Sequence, residues 1–103
     1  MGQKYLIDSN VIIDYVSGKL PVPQMSLIEK IPIIISVVTR IEILSSNKPT
    51  SSQKEKLEYF INNAAIIPLD EEIIMQTIKL RQKYKIKLAD GIIAATALTQ
   101  NLT

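Results

Sequence analysis

The chain has 103 residues, 47% hydrophobic and 21% charged, with a net charge of +2, which fits one domain over residues 1–103 and excludes a disordered chain. Cysteine and histidine are both absent, which removes disulfides, thiolate nucleophiles, Ser-His-Asp triads and His/Cys zinc sites, and leaves carboxylates, Lys, Tyr, Ser, Thr or an oxygen-bound hard cation to carry any chemistry. No run of 18 apolar residues occurs and the N-terminus lacks a signal-peptide pattern, so a soluble cytoplasmic protein is expected.

Tyr5-Leu6-Ile7 is a short β-prone run that ends at Asp8-Ser9-Asn10, residues that open helices. Val11, Ile12, Tyr15 and Val16 follow at helical spacing and Gly18 marks the stop. Pro21 and Pro23 punctuate a loop, and Met25 to Ile31 reads as a short helix closed by Pro32. Residues 33–38 are six in a row, five of them β-branched aliphatics, which predicts a strand buried on both faces of a parallel sheet. Thr39 ends that run, and a short helix carries Ile41, Ile43 and Leu44. Residues 45–52 are polar and read as a loop. Leu57, Phe60, Ile61 and Ala64 define an amphipathic helix, residues 65–69 a third strand, and Asp70-Glu71-Glu72 the start of another helix. Residues 89–98 form a last helix of small and apolar residues. Strands alternating with helices predict an α/β domain with a parallel sheet.

Ligands bind beyond the carboxyl ends of parallel strands. Asp8 follows the first strand, Glu42 lies a helical turn past the second, and Asp90 opens the last helix among Leu88, Ala89, Ile92 and Ile93, which predicts partial enclosure. Each acid also has a plain structural role open to it. Asp8 can cap the helix after it, Thr39 and Glu42 fit the T-x-x-E capping box, and Asp90 suits a helix dipole. Taken jointly, three carboxylates able to converge at one end of one sheet point to a Mg²⁺ or Mn²⁺ site. Asp14, Glu29, Glu55 and Glu58 read as solvent-facing. Arg40 is placed to meet a phosphate or to pair with an acid, and Lys79, Arg81, Lys83, Lys85 and Lys87 form either an RNA track or a dipole-stabilised helix end.

Three segments in this order and context resemble the PIN domain, and within it the VapC-like toxins: Tyr5-Leu-Ile-Asp8-Ser-Asn10-Val-Ile-Ile-Asp14-Tyr, Ile35-Ser-Val-Val-Thr39-Arg-Ile-Glu42-Ile-Leu, and Leu88-Ala-Asp90-Gly-Ile-Ile-Ala-Ala-Thr-Ala-Leu98. The resemblance implies a three-layer sandwich, with a central parallel sheet, the first strand near its middle and helices on both faces. It implies that Asp8, Glu42 and Asp90 are the catalytic, metal-binding acids, and that Asn10 and Thr39 orient an acid or a water. The activity implied is Mg²⁺- or Mn²⁺-dependent endonucleolytic hydrolysis of RNA, as the toxin of a type II toxin–antitoxin pair. A protein antitoxin and a homodimer are the implied partners. The family's last strand and fourth acidic position have no counterpart before Thr103, so an open edge beside the first strand is expected. That departure supports an alternative, a truncated and inactive PIN-like interaction module. A phosphoacceptor receiver-like domain is a third reading, and it lacks an Asp after the second strand, which ends Val37-Val38-Thr39.

Overall fold

The backbone of the first segment runs beside the second, as the apolar runs predict. Ile7 N donates to Ile34 O at 2.9 Å, and Leu6 forms a parallel bridge with Ile34. Strand β1 (Ile34–Ser36) pairs in parallel with β2 (Ala65–Ile67), with Ile35 opposite Ile66. This is a computed structural model, and it describes residues 4–45 and 51–103, with Ser51 described by its backbone alone. The second and third expected strands are thus parallel neighbours, each shorter than its apolar run, and the first is reduced to an isolated parallel bridge at Leu6.

The second strand stops early for a local reason. Ser36 Oγ accepts from Val38 N at 3.1 Å, so a strand residue caps the helix that follows. Helix α3 (Val37–Ser45) begins there, two residues before Thr39. The strand expected over residues 33–38 thus loses Val37 and Val38 to a helix. The capping box at Thr39 and Glu42 is likewise overturned, because Thr39 already lies inside the first turn.

The other helices follow the predicted order. They are α1 (Ser9–Val16), α2 (Val22–Lys30), α4 (Ser51–Asn62), α5 (Glu71–Lys83) and α6 (Leu88–Thr99). Gly18, at φ 74°, turns the chain out of α1. Asp70 caps α5, its Oδ1 accepting from Ile73 N at 2.9 Å. Of the loop expected over residues 45–52, residues 46–50 lie outside the described residues, and Ser51 and Ser52 belong to α4.

Alternate sheet residues serve opposite faces, as the period of two requires. Ile35 and Ile66 face a cluster built by Ile7, Ile12, Ile28, Ile43, Leu57 and Ile61. Ile67 and Val38 pack instead against Ile73, Ile92 and Ala95 of α5 and α6. The sheet therefore lies between two helical layers, and the α/β sandwich is present.

The edge beside the first segment differs from expectation. Thr103 N donates to Lys4 O at 3.1 Å, and Leu6 N donates to Thr103 O at 3.0 Å. Those two bonds follow a parallel ladder, so the backbone at residues 4–6 is paired on that side rather than open. The first segment lies between β1 and Thr103, in the interior position that the family resemblance implies.

Ile35 is fully buried at the centre of this arrangement, whereas Val22 is 73% exposed. Ile35→Ala should lower unfolding stability in urea by about 2–5 kcal/mol, and Val22→Ala by well under about 1 kcal/mol. Equal effects of the two substitutions would contradict this placement of the core.

Candidate metal-binding site

Two helices leave the sheet from the same edge, because two neighbouring parallel segments end there. Asp8 ends the first and caps α1 in an extended conformation, with Oδ1 accepting from Ser9 N at 2.8 Å. The longer contact from Ser9 Oγ, 3.5 Å, falls on the same oxygen. The capping role is therefore real, and it engages only one carboxylate oxygen. Asp8 is exposed, and both of these hydrogen bonds fall on Oδ1.

Glu42 is carried by α3, which starts directly where β1 ends. Its side chain is exposed. Helix α3 packs against α1 and also against α6. The helix of Glu42 thus lies between the helix that Asp8 caps and the helix that contains Asp90.

Asp90 is the third residue of α6 and is exposed, which corrects the expected enclosure. The buried side of α6 is made by Gly91, Ile92, Ala95 and Thr96. At about 100° per residue these lie across the helix from Asp90, so its apolar sequence neighbours do not surround it. Gly91 matters to this packing, since a Cβ there would stand 3.3 Å from Arg81 Cγ and 3.5 Å from Thr77 Cγ2.

The three helices are brought together, and the three carboxylates are not yet gathered. Among the described residues, no three acidic side chains lie close enough to share one ion. The donor chemistry fits a hard cation, because every candidate ligand is an oxygen and the chain has no histidine or cysteine. All three acids are exposed to solvent.

Thr39 behaves differently from the other buried threonines. Thr77 Oγ1 and Thr96 Oγ1 donate back to Ile73 O and Ile92 O, each at 2.7 Å, the usual outcome for a helical threonine. Thr39 is fully buried, and its Oγ1 has no hydrogen-bond partner among the described residues. An unpaired buried hydroxyl costs stability, which sets Thr39 apart from Thr77 and Thr96. Asn10 and Arg40 are exposed on α1 and α3. Ser36, buried and setting where α3 starts, is the one positioning residue that the sequence reading did not single out. Its signal was a lone hydroxyl inside an aliphatic run.

A model of the PIN domain matches residues 5–103. The chain belongs to the PIN domain family. Its structure is similar to that of a toxin–antitoxin complex from Klebsiella pneumoniae, with 31% identity and a TM-score of 0.78, covering 96% of this chain and 82% of that one. It also has the fold of a chain in VapBC2 from Rickettsia felis bound to a promoter DNA fragment, with 20% identity, a TM-score of 0.80, and coverage of 97% and 84%. A comparison with curated proteins gives no match. No helix among the described residues of this PIN domain is long and apolar enough to cross a membrane.

Thr39→Val keeps the shape of this side chain and removes the orphan hydroxyl. Its urea midpoint should equal or exceed that of the parent chain, by up to about 1–2 kcal/mol of stability. A loss of that size would show that the hydroxyl has a partner in the folded protein.

Proposed function

We propose that this PIN domain is a cytoplasmic, metal-dependent endoribonuclease and the toxin of a type II toxin–antitoxin pair. The observation that carries the reading is placement. Asp8 at a strand end, Glu42 on α3 and Asp90 at the start of α6 are borne by structural elements linked through α3, and all three offer hard oxygen donors. The family match over nearly the whole chain supports nuclease chemistry, and the likeness to a toxin–antitoxin complex supports a protein antitoxin as partner.

Asp8, Glu42 and Asp90 would hold Mg²⁺ or Mn²⁺, which supplies positive charge to an RNA phosphodiester and lowers the pKa of a bound water. The protein's own groups do the rest. Oδ1 of Asp8 stays on Ser9 N, so the cap holds that carboxylate's orientation while its other oxygen serves the ion. The Thr39 hydroxyl and the Asn10 amide orient an acid or a water at the same end of the sheet. Arg40, exposed two residues before Glu42, meets a substrate phosphate, and Lys83, Lys85 and Lys87 draw in the RNA strand.

A second reading, an inactive PIN-like binding module, draws on the separation of the three carboxylates. The two readings part on cleavage. With the purified chain and Mn²⁺, RNA should be cut internally, and Asp8→Asn, Glu42→Gln and Asp90→Asn should each lower the rate by about 100-fold or more with the fold retained. Cleavage that survives in all three variants would overturn the nuclease assignment. Mn²⁺ affinity weaker than millimolar by calorimetry, together with no cleavage of any RNA, would favour the module.

A further inference from the structure

Helices α5 and α6 and the link between them line an open hollow of about 860 Å³, within the size range that small organic ligands occupy. Its apolar surface comes from Leu69, Ile74, Ile78, Leu88 and the buried Ile92. Its charged residues are Arg81, Lys85 and Lys87, and no acidic residue lines it among the described residues.

The hollow is polarised. Leu69 and Ile74 belong to the N-terminal end of α5, Arg81 to its last turn, and Lys85 and Lys87 to the link that follows. Ile74 and Arg81 stand about 10 Å apart along the helix axis, so the apolar end and the basic end are separate. The exposed Gln82 and Tyr84 line the basic end as well. Arg81 is held there by two contacts. Its Nε donates to Ile86 O at 3.3 Å, and its Cγ lies against Gly91, 3.3 Å from where a Cβ would stand. That bond uses one guanidinium nitrogen, and the two terminal nitrogens are the pair that receives a carboxylate in fork geometry.

We propose that this hollow binds a single-chain anionic amphiphile, a free fatty carboxylate. The head sits at Arg81, Lys85 and Lys87, and the chain runs over Ile78 and Ile74 toward Leu69. One charge joined to a long apolar chain matches both ends. An RNA strand carries a charge at every nucleotide and would set phosphates against the apolar end. A peptide would bring backbone amides onto a floor whose own hydroxyl, that of Thr77, is already donated to Ile73 O. Leu88 and Ile92 lie on either side of Asp90 in α6, so a bound chain touches the helix of the candidate metal site. The inference stands apart from the nuclease reading, since its test measures ligand binding and not cleavage.

Decanoate, kept below its micelle concentration, is the probe, titrated into the isotopically labelled full chain and followed by backbone amide shifts. The amides of Ile78, Arg81 and Leu88 should shift together and saturate with a Kd of about 1 mM or tighter. Octanoate, two methylenes shorter, should bind about 10-fold more weakly, and acetate should leave these amides unmoved up to about 10 mM. Arg81→Gln should weaken decanoate binding at least about 10-fold, and so should the exposed pair Lys85→Gln with Lys87→Gln, each with the parent's dispersed spectrum retained. Decanoate that fails to saturate below about 10 mM, shifts scattered over other apolar faces, equal affinity for octanoate, or both variants binding as the parent does would each overturn the proposal. A short oligoribonucleotide that moves these amides where decanoate does not would overturn it and give the hollow to RNA. A dimer in sedimentation velocity, with these amides silent to decanoate, would overturn it and give the hollow to a second copy.

Discussion

One hydrogen bond sets the geometry on which the rest depends. Ser36 Oγ accepts from Val38 N, turning a strand into a helix without an intervening loop. Because of that turn, α3 leaves β1 at the edge where Asp8 ends the neighbouring parallel segment. The direction of α3 then settles which helices it meets, and it meets both α1 and α6. A loop of several residues in place of this cap would free α3 from the sheet edge and separate Glu42 from the helices near Asp8 and Asp90.

The same economy organises the interior. A sheet this narrow supports two helical layers only because adjacent residues point to opposite faces, Ile66 to one cluster and Ile67 to the other. Aliphatic β-branched residues dominate both positions, which the pleated surface favours. Helix α6, rich in alanine with Gly91 at the contact with α5, approaches its neighbour closely and carries Asp90 on its outer side.

Much of this was legible in the residues, and the failures have physical causes. The strand-to-helix change at Asp8 and the start of α5 at Asp70 could be read because acidic caps are local chemistry. β-Branched Val37 and Val38 favour a strand, yet a serine cap and tertiary packing take them into α3. The neighbours Leu88, Ala89, Ile92 and Ile93 suggest enclosure of Asp90, but sequence neighbours on a helix do not share a side, and Asp90 is exposed. The elements bearing Asp8, Glu42 and Asp90 could be placed from pattern. The distances between their oxygens depend on how far each helix is rotated, which no pattern of types encodes.

The central claim is that three acids far apart in the chain serve one cation. Titration of Mn²⁺ into the isotopically labelled protein, followed by paramagnetic broadening of backbone amide signals, tests it most directly. The account predicts that signals around Asp8, Glu42 and Asp90 vanish together at one metal concentration. Broadening confined to a single one of these segments, or centred on Glu71 and Glu72, would contradict it.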